Sequence, residues 1–248
     1  MSRIIYVILG WALLGVGAQA AGGHGVHLDH APVDIQNKAS LQRGAKYFVN
    51  YCLSCHSAKY SRFSRVATDL DLTDRQVEEN LIFTDAKIRD PMNVALRPED
   101  ARVWLGTAPP DLSLEARARG ADWVYTYLRS FYLDDSRPFG VNNLVLPNAS
   151  MPHALWKLQG WQEAKYKAER GPDGHEHPAF EGFELVTPGE MSPKEYDRAV
   201  LDLVNFLVYL GEPAQLQRKT IGVWVIAYLL IFFVIAYFLK KEYWKDVH

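Results

Sequence analysis

Two cysteines and a histidine stand at a spacing that can do chemistry: Cys52-Leu-Ser-Cys55-His56. They are the only cysteines in the chain, so no disulfide framework is open to it. Thiols three residues apart at the end of a helix can each reach one vinyl group of a single porphyrin. The residue after the second thiol then lies under the iron, and an imidazole there is an axial ligand. C-x-x-C-H therefore reads as covalent attachment of one haem c. Two other chemistries use such pairs. A thioredoxin-like couple expects a βαβ context that is absent here. Zinc expects a second ligand pair at knuckle spacing, and His24, His27 and His30 offer nitrogens without one.

Haem iron takes a sixth ligand, and a thioether there raises the reduction potential and closes the metal to small molecules. Met191 directly precedes the helix cap Ser192, with Tyr196 at the fourth helical position, which is a hydrophobic staple. Met92 lies in Asp90-Pro-Met-Asn, just ahead of a helix, and reads as core. Met151 follows the loop that begins at Asn142, and Pro152 stiffens the backbone beside it. A loop can wrap over the distal haem face where a helix start cannot, so Met151 is the expected ligand.

The elements that must hold these groups are mainly helical. From Ser40 the residues Leu41, Ala45, Phe48 and Cys52 repeat on one helical face and deliver the motif at its end. Thr73-Asp-Arg-Gln76 is a capping box opening a helix through Ile82. Pro98 and Gly106 bracket another helix. Trp123, Tyr127 and Phe131 are in phase over 121–131. Residues 132–190 are rich in Pro, Gly and Asn and read as mostly loop, with a short hairpin at Gly171-Pro-Asp-Gly174. Ser192-Pro-Lys-Glu195 opens a helix running to about Leu210, stopped by Gly211-Glu-Pro213. Gly44, eight residues before Cys52, lets that last helix cross closely along its stripe of Leu203, Phe206, Leu207 and Leu210.

Both ends carry membrane signals. Arg3, the apolar run Ile4 to Val16 and Ala18-Gln19-Ala20 make residues 1–20 a secretory signal peptide. Ile221 to Leu239 is uninterrupted by charge and about 28 Å long as a helix, enough to span a bilayer. Residues 219–239 thus form a transmembrane helix between the body, 21–218, and a tail, 240–248. Export places the body outside, and Lys240, Lys241 and Lys245 place the tail inside. Net charge is −2, and the excess negative charge lies wholly between the basic ends. That argues against a nucleic-acid partner and suits a basic protein. Asp69, Asp71, Asp74, Glu78 and Glu79 are candidate steering charges, or a solvated face.

The motif, Gly44/Phe48, the late Met151-Pro152 and the terminal helix resemble class I cytochromes c. Residues 27–57, Ala108-Pro-Pro-Asp-Leu-Ser113, 191–213 and the tail anchor together resemble the cytochrome c1 family, the haem subunit of quinol–cytochrome c reductase (bc1) complexes. The resemblance implies a mainly α, class I cytochrome c-like haem domain with loop insertions, plus one transmembrane helix. It implies thioether links at Cys52 and Cys55, and iron ligation by His56 and Met151. It also implies a Pro109-Pro110 carbonyl accepting from the imidazole, and Arg102 near a propionate. The implied partners are cytochrome b, a Rieske iron–sulfur protein, a soluble or tethered cytochrome c, and membrane lipid. The implied place is a bacterial inner membrane, with the haem domain in the periplasm and no separate catalytic site. The rivals are a tail-anchored donor to a terminal oxidase, a haem-based ligand sensor, and a peroxidase using His153 as distal base. His24, His27, His30, His175 and His177 take no role in any of these.

Overall fold

A computed structural model describes residues 26–170 and 176–245. The signal peptide of 1–20, His24, the turn at Gly171–Gly174, His175 and the last three residues of the tail lie outside the described residues.

The first helix among the described residues, α1 (Lys38–Tyr47), is opened by Asn37, whose side chain accepts from the Ser40 N–H. It passes into one π-helical turn, Phe48–Cys52, in which the Leu53 N–H reaches back to the Phe48 carbonyl at 2.9 Å. Such wide turns inside helices commonly mark functional segments. Leu41, Ala45, Phe48 and Cys52 are all buried. Opposite them runs α8 (Pro193–Gly211), with Pro193 in its first turn and the Ser192–Glu195 capping box formed. It buries Leu203, Phe206, Leu207 and Leu210, each contributing about 1.5–3 kcal/mol of transfer free energy.

The α1–α8 crossing depends on Gly44. A Cβ there would stand 2.0 Å from the Asp202 carbonyl oxygen and 2.7 Å from Phe206 Cβ. The Phe48 and Phe206 rings meet at 5.6 Å. Polar groups lock the same crossing. Arg43 makes two hydrogen bonds to the Asp202 carboxylate, Ser40 donates to it, and Asn205 donates to Ser40 Oγ at 2.8 Å.

Between these helices lie β1 (Ala58–Arg62), α2 (Phe63–Asp69), α3 (Asp74–Leu81), β2 (Pro91–Met92), α4 (Pro98–Leu105), α5 (Glu115–Arg119) and α6 (Ala121–Arg129). The Thr73–Gln76 capping box forms, and Gly106 ends α4 at φ 76°, a left-handed conformation suited to glycine. Met92 is fully buried on β2, paired antiparallel to β1. The irregular segment ahead of α1 is strapped to two helices. Asp29 N–H donates to Thr126, Ala31 N–H to Asp122 and Asp34 N–H to Asn205, so its backbone is satisfied without a strand.

Two expectations are corrected. The helix over 121–131 stops at Arg129, and Phe131 begins β3 (Phe131–Leu133), paired to β4 (Val141–Asn143). Phe131 still meets the Tyr127 ring edge-on at 5.1 Å. More substantially, 132–190 is not mostly loop. After the short α7 (Trp156–Gln159) it forms a long antiparallel hairpin, β5 (Gly160–Arg170) with β6 (Glu176–Pro188). The period-two signal was present: Glu163, Lys165, Lys167 and Glu169 alternate with Ala164, Tyr166 and Ala168. Pro and Gly composition outweighed it. The Tyr166, Phe180 and Phe183 rings pack together on the apolar face.

Last comes α9 (Gln215–Tyr243). Its apolar stretch, Thr220–Tyr243, has no residue buried inside the protein, which sets it apart from a core helix of similar composition. The helix outruns the expected boundary at Leu239, taking in Lys240, Lys241 and Glu242.

Candidate haem site

The site starts where the π-helical turn ends. Cys55 and His56 N–H groups both point back to the Cys52 carbonyl, at 3.0 and 2.8 Å, closing a tight turn around the motif. The two cysteines form no disulfide. Burial, aided by the nearby Cys55, pushes the Cys52 thiol up to about 12, so it stays neutral rather than a reactive thiolate.

His56 is fixed by a distant loop. Its Nδ1 lies 2.8 Å from the Pro110 carbonyl oxygen. A carbonyl only accepts, so Nδ1 carries the proton and the Nε2 lone pair is left for a metal. Burial holds the imidazole below its ordinary pKa, against the opposing pull of the Pro110 carbonyl, Glu115 and Asp111. The loop itself is zipped to the motif strand. Leu112 N–H donates to the Ser57 carbonyl at 2.7 Å, and Lys59 N–H to Asp111 Oδ2 at 3.0 Å.

Met151 is half-buried and packs against the same apolar core that contains Cys52. The Tyr127 hydroxyl donates to its sulfur at 3.4 Å. The loop carrying Met151 hangs on two asparagines. Asn143 Oδ1 accepts from the Val145 and Leu146 N–H groups, and Asn142 Oδ1 from Asn148 N–H. Neither asparagine nor Tyr127 was singled out from sequence. The tyrosine was marked only as part of a helical stripe.

Arg102 is exposed on α4 and makes no hydrogen bond or ion pair among the described residues. His153 is buried, stacked on Phe131 at 5.1 Å and edge-on to Trp161. Burial drops its pKa to about 4. A ring so enclosed by aromatics does not make the acid–base pair a peroxidase needs. The acidic group is thinner than its sequence suggests. Asp69 pairs with Arg65 and accepts from Tyr209, Asp71 pairs with Lys38, and Glu79 pairs with Arg75.

An imidazole with a free Nε2 and a thioether are the nitrogen and soft-sulfur donor types that suit haem iron, and the two cysteines stand beside the imidazole in sequence. Among the described residues no three His, Cys, Asp or Glu side chains converge as an alternative metal cluster.

The family model of the cytochrome C1 family matches residues 29–247. The chain belongs to the cytochrome c1 family. It is 50% identical to cytochrome c1 of Allochromatium vinosum, over 98% of each chain. It is 45% identical to a Nitrosomonas europaea protein named ammonia monooxygenase gamma subunit, over 99% of this chain and all of that one. It is 30% identical to cytochrome c1 of Blastochloris viridis, over 97% and 94% of the two chains. Family membership gives the chain a c-type haem domain and a membrane anchor.

Proposed function

We propose that this chain is the monohaem cytochrome subunit of a bc1 complex. In it the chain passes single electrons from the Rieske iron–sulfur subunit to a soluble or membrane-tethered cytochrome c. Residues 21–218 form the periplasmic haem domain, 219–239 the core of the transmembrane helix in the bacterial inner membrane, and 240–248 the cytoplasmic tail. When bound, haem c supplies a one-electron iron couple. Cys52 and Cys55 hold it through thioether links. His56 would ligate the iron through Nε2, with Nδ1 held by Pro110, and Met151 would supply a thioether donor. Arg102 is free to meet a propionate or a partner.

One observation carries the reading: the His56 imidazole is locked by the Pro110 carbonyl in the tautomer that iron ligation needs, directly beside two cysteines that form no disulfide. The test is made on protein from its native host. The denatured chain should keep haem-dependent peroxidase stain on a gel and carry the added mass of one cofactor. Cys52→Ala with Cys55→Ala should lose both. Unstained wild-type protein ends the reading. Purified membrane complex should contain cytochrome b and Rieske subunits. The Nitrosomonas relative's name points instead to a monooxygenase assembly, and co-purification with monooxygenase subunits alone would favour that partner set.

A further inference from the structure

Resting on His56 as the haem ligand, we propose that Glu212 is a positioning residue. Its carboxylate joins the anchor α9 to α5, the helix behind the His56 loop, and so holds the haem in one orientation relative to the anchor.

The join between domain and anchor is short. Only Glu212, Pro213 and Ala214 separate α8 from α9. Their backbone is a closed turn. The Glu212 N–H donates to the Tyr209 carbonyl at 3.1 Å, and the Gln215 N–H to the Glu212 carbonyl at 3.0 Å. Proline fixes its own φ within that turn. The Glu212 side chain is 28% exposed, and each of its oxygens faces a different helix. Oε1 accepts from Arg218 on α9, and Oε2 stands 3.6 Å from Arg117 Nη1 on α5. A carboxylate just past a helix C-terminus meets the negative end of the helix dipole, so this place disfavours glutamate unless cations offset it. A lone exposed ion pair holds a surface weakly. Here one mostly covered carboxylate bridges two guanidinium groups, where salt screens it less.

From α5 the contacts run on to the axial histidine. The end of α8 presses against α5, since a Cβ at Gly211 would meet Arg117 Cβ at 3.3 Å. The Arg117 N–H donates to the Leu114 carbonyl at 3.1 Å, and the adjoining Ser113 Oγ accepts from the Tyr60 N–H at 3.2 Å. Pro110, in the same loop, holds His56. Anchor, Glu212, α5 and His56 thus form one continuous run of contacts. Single-electron transfer slows steeply as donor and acceptor separate. A haem fixed relative to the anchor meets a membrane-bound donor at a set distance and angle.

The test uses the full chain with haem, purified in detergent without partner subunits. Every variant carries a nitroxide on Ile226→Cys, a position exposed on α9. Thioether bonds at Cys52 and Cys55 leave that cysteine alone to be labelled. Pulsed electron paramagnetic resonance reads the distance from iron to nitroxide. With Glu212 in place the distances should form one narrow distribution. Glu212→Gln should lose it for a broad one, and so should Arg117→Gln and Arg218→Gln, with haem content unchanged. A broad distribution with Glu212 in place overturns the proposal, as does a narrow one in Glu212→Gln. Broadening in Glu212→Gln with either arginine variant still narrow also overturns it, because the join needs both ends. If Glu212→Gln does not load haem, the arginine variants decide by the same readout, and a narrow distribution in either overturns the proposal. A labelled chain that has Glu212 and carries no iron instead removes the haem reading beneath it.

Discussion

His56 and Pro110 are 54 residues apart in sequence, yet imidazole Nδ1 and carbonyl oxygen stand 2.8 Å from each other. The contact is not isolated. Ser57, Lys59 and Tyr60 on one side bond Leu112, Asp111 and Ser113 on the other. The segment after the motif and the Pro-Pro loop thus act as one unit, and the histidine's orientation is set by backbone.

Asp111 is the hinge of that unit. One carboxylate oxygen accepts from Lys59 N–H and the other from Ser113 N–H. Asp111→Ala removes both charge-assisted bonds and should cost about 2 kcal/mol. It should also loosen His56. Guanidinium melts followed through the haem absorption read the first effect, and the reduction potential the second. A midpoint equal to the parent's would show that the loop does not need its carboxylate.

Gly44→Ala sets one methyl group against backbone at 2.0 Å. A backbone carbonyl cannot rotate aside, so α1 and α8 must separate. The gain in helix propensity is about 1 kcal/mol, and overpacking costs up to about 3. The expected net loss is about 2 kcal/mol, seen as a lower melting temperature and reduced haem loading. Unchanged melting would mean that the crossing tolerates a wider gap than its packing implies.

The cap of α8 should respond to acid. Hydrogen bonds from the Ser192 hydroxyl and N–H hold the Glu195 carboxyl below its ordinary range. A depressed folded pKa means stabilisation that is complete above the unfolded value and is lost as pH falls through the folded one. The protection factor of the Ser192 amide should therefore fall under acid conditions below the usual glutamate range, and in Glu195→Ala at neutral pH. Exchange in Glu195→Ala as slow as the parent's would exclude the box as the cause. Ser192→Ala should cost about 1 kcal/mol.

The anchor should be separable from the domain. The apolar stretch of α9 has no residue buried against the rest of the described chain, whereas Leu216 still packs on the core. A chain ending at Leu216 should be exported, carry haem and be released without detergent. Retention in the membrane fraction would mean that another surface also binds the bilayer or a membrane partner.

Local features were readable in advance because their causes are local. Cap boxes at Thr73 and Ser192 and the stop at Gly106 are each decided within one or two turns of chain. The β5–β6 hairpin is far longer than the short one its sequence suggests, because two-stranded ribbons rest on cross-strand pairs such as Tyr166 with Phe180. Those pairs link residues on separate strands and leave only a faint alternation in composition. Asp69 was misjudged for a similar reason. It sits among acidic neighbours in sequence but is paired in space with Arg65 and Tyr209.

By itself the sequence determined the covalent chemistry on offer, since two thiols and an imidazole within five residues need only one turn to come together. It likewise determined the anchor, because a charge-free apolar run of that length needs no partner to declare itself. Only the tertiary structure decided that Tyr127 meets the Met151 sulfur and that Asn143 holds both the tyrosine backbone and the methionine loop. These are contacts between side chains on separate elements. Their geometry exists only once helix, strand and loop have closed on a shared core.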